Sequence, residues 1–187
     1  MVISNKLFAF FSLTILSLSS IATIANAGDL LANINYGETR DIVTNKLTKS
    51  KAVKATVPES MIARVGLNGS FSTTRELAGL KFALYFDWND SSGLKEITYR
   101  SDALPNSSYD QRLKSTWDYA INLISAIYGK ASNAGEYPKR SEITKGSIQF
   151  SHEWKTRNGY IYLGIGQETK DYSLNITFSK VSLNTEK

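Results

Sequence analysis

The sequence contains no cysteine. Disulfide frameworks, thiolate metal sites and thiol nucleophiles are excluded together, as is a lipid anchor carried on a cysteine behind an export signal. The fold then rests on its apolar core alone, which a chain of this length can supply. Histidine occurs once in 187 residues, so a metal site would need a cage of carboxylates, and the sequence shows none. Serines are plentiful, yet none stands in a Gly-x-Ser-x-Gly setting, where a tight turn exposes the hydroxyl as a nucleophile. Charge of one sign is also in short supply. The chain has 22 basic and 17 acidic residues, net +5, mixed along its length, so a nucleic-acid partner is not implied.

What is present at the N-terminus reads as an export signal over residues 1–27. Lys6 gives a short positive start, and Leu7 to Ile24 is apolar but interrupted by Ser12, Thr14, Ser17, Ser19 and Ser20. Ala25-Asn26-Ala27 then supplies the small-x-small triplet that a signal peptidase needs. The expectation is a mature chain beginning at Gly28, periplasmic or secreted, with no stable membrane insertion after cleavage.

The clearest patterning lies in the C-terminal third, "SIQFSHEWKTRNGYIYLGIGQET" and the strand after it. Asn158-Gly159 is a favoured two-residue hairpin turn, because both residues tolerate positive φ. Folding about it sets Trp154 opposite Leu163, His152 opposite Ile165 and Thr156 opposite Ile161. A third strand over Tyr172–Lys180 puts Ile165 opposite Leu174, Leu163 opposite Ile176 and Ile161 opposite Phe178. One face then gathers Ile148, Phe150, Trp154, Ile161, Leu163, Ile165, Leu174, Ile176 and Phe178, and the other gathers the polar and small residues. A one-residue slip would expose all nine apolar side chains, at a cost on the order of 15–25 kcal/mol.

Upstream, Ser108 and Gln111 have capping-box spacing and Gly129 suits a helix end. Between them Leu113, Trp117, Ala120, Ile121, Ile124 and Tyr128 form one helical stripe. Ser132 to Lys145 reads as a polar loop. The first half repeats the order: a short helix over Glu38–Leu47 with Ile42, Val43 and Leu47 on one side, then strands in "LKFALYFDW" and "LKEITYR". One or two further strands are expected within residues 50–79 around Asn68-Gly69. The chain thus reads as α+β, antiparallel meanders with helices on one face. It divides into an N-terminal half over 28–104 and a C-terminal half over 105–187, or forms one continuous domain.

Each candidate for chemistry has a plainer reading. His152 falls on the apolar face between Phe150 and Trp154, and Glu153 points the other way, so a core imidazole bonded to a backbone carbonyl is favoured over a catalytic one. Gly164-Ile165-Gly166 lies inside a strand, not between strand and helix, so it is no dinucleotide loop. These glycines leave a bare strip beside Tyr160 and Tyr162, marking close approach by a ligand or another backbone, or only local twist. Asp87-Trp88-Asn89-Asp90-Ser91-Ser92-Gly93 has the glycine misplaced for a calcium loop and reads as a polar turn. Lys46, Lys49, Lys51 and Lys54 read as a solvated basic run.

The element "YGETRDIVTNKL", with Gly37, Thr39, Val43 and Leu47 opening a short helix before a meander, resembles modules of small bacterial envelope proteins. These are the β-lactamase inhibitor proteins and the outer-membrane assembly lipoproteins of the SmpA/BamE type. The absent cysteine departs from the second group, and no functional residue carries over. The resemblance implies a protein that presents a sheet surface to another protein. The reading is therefore an exported, non-catalytic binding protein without cofactor or metal, whose partner is a protein or an envelope ligand. Its binding face is Tyr160, Tyr162, Gly164, Gly166 and Lys155. The alternatives are a small envelope hydrolase using carboxylates of the 132–145 loop or near Asp87, and an envelope assembly component.

Overall fold

Alternation of apolar and polar residues along the strands decides which way the chain folds against itself. The computed structural model describes residues 34–183; the signal peptide expected over 1–27 lies outside them. Among the described residues the order is α1 (Arg40–Lys49), β1 (Val53–Ala55), α2 (Glu59–Val65), β2 (Phe71–Thr73), β3 (Phe82–Trp88), β4 (Leu94–Ser101), α3 (Lys114–Tyr128), β5 (Asn133–Ala134), β6 (Ile148–Thr156), β7 (Gly159–Gln167) and β8 (Tyr172–Ser179). The strands make one antiparallel sheet in the order β1-β2-β3-β4-β8-β7-β6-β5. The protein is α+β, as its pattern implies. Each half ends on an inner strand, and those two strands, β4 and β8, pair from Glu96↔Ser179 to Arg100↔Asn175. The sheet is therefore continuous across both halves.

All three helices cover the same face. Phe82, Leu84 and Phe86 alternate inward along β3, and Ile97 joins them from β4. Leu84, Phe86 and Ile97 form one core cluster with Val43 and Leu47 of α1 and Ile62 of α2, while Phe82 packs into a second. Leu113 and, from α3, Trp117, Ala120 and Ile124 pack with Trp154, Ile161, Leu163, Ile165, Leu174 and Ile176 in that second cluster. Tyr99 and Phe178, paired edge-on at 5.6 Å, touch both clusters and join them.

The β7–β8 register is the expected one, with Ile165↔Leu174, Leu163↔Ile176 and Ile161↔Phe178. The β6–β7 register is not. Thr156 pairs with Gly159, Trp154 with Ile161 and His152 with Leu163, a two-residue shift from the arrangement expected about Asn158-Gly159. The loop is Arg157-Asn158, and Gly159, at φ +149°, opens β7 instead of closing the turn. Because the side-chain period is two, this shift leaves every face assignment intact. A bulge between Phe150 and His152 does change faces. It adds one residue at Ser151, so Ile148 and Phe150 leave the apolar face and pair with Gly166 and Gly164 on the opposite one.

The Leu113–Tyr128 stripe packs on the sheet as its spacing implies, and Gly129 ends α3 at φ +85°. Its start differs from a capping box. A 3₁₀ turn over Asn106–Ser108 runs into a π turn over Tyr109–Leu113, with no side-chain cap from Ser108. The wider turn lets Tyr109 and Leu113 both enter the core, and the Tyr109 hydroxyl donates to Pro138 O at 2.6 Å. Two further corrections fall in the first half. Ile42 is on the solvent side of α1, 47% exposed, whereas Val43 and Leu47 are buried. Residues 50–79 hold two three-residue strands and also α2, a helix too short to show periodicity in sequence.

Candidate functional site

With the helices on one side, the opposite side of the sheet has no helix over it among the described residues. Pairing lays its residues out in transverse rows. One runs Lys54, Ser72, Ala83, Arg100, Asn175, Gly164, Phe150 from β1 to β6. The next runs Tyr85, Thr98, Thr177, Tyr162, Glu153, and a third Asp87, Glu96, Ser179, Tyr160, Lys155. The middle strand β8 contributes only small polar groups, Ser173, Asn175, Thr177 and Ser179, all buried. Larger side chains stand on either side of this floor. Arg100 lies 4.1 Å over the Tyr85 ring and pairs with Glu168. Across the floor, Phe150 packs on Tyr162 at 5.3 Å, and Tyr160 stacks beside Tyr162 at 6.2 Å. On this face two groups of larger side chains thus flank a strip of small, buried polar residues. Thr98 and Thr177 join across it, hydroxyl to hydroxyl, at 2.8 Å.

The residues expected to form a binding surface divide here. Lys155 is exposed and Tyr160 half-buried. Tyr162 is buried, 2% exposed, and its hydroxyl accepts from Leu183 N at 3.0 Å and donates to Ser182 Oγ at 3.4 Å. It anchors the segment after β8 instead of waiting for a ligand. Gly164 and Gly166 are buried too, so the bare strip expected beside the tyrosines is filled from within the fold. A Cβ on Gly164 would meet Gln149 O at 2.5 Å and Ile148 Cγ2 at 2.9 Å, and one on Gly166 the Asn175 amide nitrogen at 2.9 Å. The close approach that such glycines mark is made by β6 and β8. Arg100 and Tyr85 were missed as binding candidates. They sit on β4 and β3, and only the β4–β8 pairing, a contact between halves, brings them beside Tyr160 and Phe150.

His152 is interior, 7% exposed, stacked on Trp154 at 5.6 Å and edge-on to Trp117 at 5.2 Å. Its partner is a side chain, not the backbone carbonyl expected: Nδ1 lies 3.1 Å from Ser151 Oγ. That hydroxyl also receives the Trp117 indole N–H at 2.9 Å and lies 3.2 Å from Leu163 O. The bulge is what places Ser151 and His152 on the same side. Burial pushes the imidazole below its ordinary value of 6.5. Between that lowered value and 6.5 the unfolded chain binds the extra proton, so the neutral ring's contribution is whole above 6.5. It is lost as pH falls through the window. Thermal melts at pH 7.5 and pH 5 are expected to show an acid-side loss that His152→Gln reduces; an unchanged acid slope would assign the loss to other groups.

The loop 132–145 is tied down rather than open. Tyr137 donates to Tyr109 O at 2.8 Å, Glu142 accepts from Lys139 N at 3.0 Å, and Arg140 pairs with Asp110. Asp87 faces Lys95 at 3.9 Å. The Asp87–Gly93 segment is a polar turn, with Asn89 Oδ1 accepting from Gly93 N and Ser91 Oγ, both at 2.8 Å. Among the described residues no group of three or more His, Asp or Glu is placed to hold a metal ion, and no helix is long and apolar enough to cross a membrane. Comparison of the chain with protein-family models, curated proteins and solved structures finds no match.

Proposed function

We propose that this is a binding protein that acts without catalysis, holding a partner protein of the bacterial envelope or extracellular space against the helix-free face of its sheet. The observation that carries the reading is the pair of walls on that face, Arg100 stacked on Tyr85 and the Phe150–Tyr162–Tyr160 ring series, either side of a floor of small polar residues. Arginine and tyrosine dominate binding energy at protein interfaces, because each brings large contact area with few rotors to freeze. Here the rings stand on strands of an eight-stranded sheet, so they are pre-organised before a partner arrives. The surface is moved from the earlier set toward Arg100, Tyr85, Tyr160, Phe150 and Lys155, since Tyr162, Gly164 and Gly166 are interior. The resemblance to sheet-presenting envelope proteins supports the same reading.

The test is affinity capture from envelope extract on the immobilised chain, repeated with Arg100→Ala and Tyr160→Ala. Each variant is expected to keep the parent melting temperature. Each is expected to weaken capture of the same partner by about thirty-fold, the equivalent of roughly 2 kcal/mol at an interface hot spot. Capture that survives both substitutions would place the interface elsewhere.

A further inference from the structure

One edge of the molecule is built by α1, β1 and α2. Their inward residues Val43, Leu47, Val53 and Ile62 share one core cluster, and β1 is the outermost strand of the sheet. Ile42 on α1 and Met61 and Val65 on α2 point outward, 47%, 42% and 52% exposed. They are three of the five large apolar side chains that stand in solvent among the described residues. α2 has seven residues and buries only Ile62. Met61 and Val65, four positions apart, therefore form one outward ridge, with Arg64 beside it.

Charge along this edge is unbalanced. Residues 34–73 hold six basic and three acidic side chains, and from Ile42 to Pro58 there are four lysines and no acid. Part of that charge is engaged: Lys46 pairs with Glu38, and Arg40 lies 5.2 Å from the Trp88 ring centroid. Setting those aside leaves Lys49, Lys51, Lys54 and Arg64. All four are exposed, and none makes an ion pair, a side-chain hydrogen bond or a ring contact among the described residues. Against them stand Asp41 and Glu59, in the first turns of α1 and α2, whereas Lys49 and Arg64 lie in the last turns. The positive excess therefore survives once every engaged group is removed.

Residues 37–70 contain no Phe, Tyr or Trp. The rings that anchor protein–protein contacts are missing there, and lysine is depleted in such contacts. Single aliphatic side chains on short convex helices, with lysines around them, suit a surface that moulds itself to them. The headgroup region of a bilayer takes up Ile, Met and Val to a shallow depth, while lysine stems reach along it to keep their charge in water. Free cations in excess select anionic lipid. We infer that this edge docks the protein reversibly on an anionic membrane surface, with Ile42, Met61 and Val65 between the headgroups and Lys49, Lys51 and Arg64 against their phosphates. The contact is adsorption at the surface, and it leaves Arg100 and Tyr160 of the sheet face free.

The experiment is co-sedimentation with sucrose-loaded vesicles, either pure phosphatidylcholine or phosphatidylcholine with about one third phosphatidylglycerol. The chain recovered after export is compared with the full chain, so that the lipid affinity of the apolar stretch Leu7 to Ile24 is read separately. For the exported chain, saturable binding to the anionic vesicles is expected, falling about ten-fold as salt rises from roughly 50 to 300 mM. Binding to the neutral vesicles should be about ten-fold weaker or less. Lys49→Gln combined with Lys51→Gln should weaken anionic binding about ten-fold. Met61→Ser combined with Val65→Ser should weaken it about five-fold and leave its salt dependence in place. All four positions are exposed, so both double variants are expected to melt like the parent. Arg100→Ala should bind vesicles as the parent does, which separates this edge from the sheet face. Equal binding to neutral vesicles, indifference to the glutamine pair or indifference to the serine pair would each overturn the assignment. So would polyglutamate that competes fully with the vesicles, the mark of an acidic protein partner.

Discussion

Gly164→Ala is expected to lower the unfolding free energy by about 3 kcal/mol, the upper part of the ordinary range for overpacking. For a domain of this size that corresponds to a melting temperature lower by roughly 6–12 °C. The cause is where the new methyl must go. Its carbon would stand 2.5 Å from Gln149 O and 2.9 Å from Phe150 Cα, both main-chain atoms of β6. Neither can yield without parting β6 from β7, the pairing that carries the Phe150 bulge. Gly166→Ala makes the internal comparison. Its nearest neighbour is a side-chain atom, Asn175 Nδ2 at 2.9 Å, with Ile148 Cγ1 at 3.5 Å, so the clash displaces a side chain and its bonds to Ser173 instead of the main chain, and a smaller loss is expected. Urea melts of the two variants check the order. Were the glycines instead a floor kept clear for a ligand, both alanine variants would melt like the parent and fail only in capture.

That contrast also marks what could be read before the structure. Faces of strands β3, β4, β7 and β8 were legible, because burying one side of a sheet fixes alternation far more strongly than any turn preference does. The helical stripe on α3 was legible for the same reason, at a period of 3.6. A bulge breaks that logic. Ser151 is one residue in an unbroken alternating run, and nothing local announces that Phe150 will switch sides while Trp154 stays. Turn chemistry failed more gently: Asn158-Gly159 does sit at the hairpin, but Gly159 is spent on entering β7. The binding face suffered most, since its central row depends on β4 meeting β8, residues 75 positions apart along the row at Arg100↔Asn175. Exposure of Tyr162 could not be judged either, because the segment that covers it, Ser182 and Leu183, lies beyond the strand.

Trp117→Ala is expected to have the largest effect on stability, about 3–5 kcal/mol by the usual cost of truncating a buried indole. That is a fall of roughly 6–20 °C in melting temperature. Trp117 is 6% exposed and meets Tyr137 edge-on at 5.3 Å and His152 at 5.2 Å, so it joins α3, the 132–145 loop and β6 in one place. Its indole N–H also satisfies Ser151, the residue at the bulge. Trp117→Phe keeps a ring but removes that donor, and should cost about 1 kcal/mol for the lost bond beyond the change in packing. The imidazole provides an independent check on the same cavity. Once the indole is gone, water reaches His152, the desolvation that depresses it weakens, and the acid-side loss of stability between pH 7.5 and pH 5 should shrink in Trp117→Ala. A double-mutant cycle of Trp117→Ala with His152→Gln should return a coupling of about 0.5–1.5 kcal/mol if ring and imidazole support each other directly. Additive losses would mean that the two residues stabilise the helix–sheet contact separately, and that the bulge, not the ring pair, sets the position of the histidine.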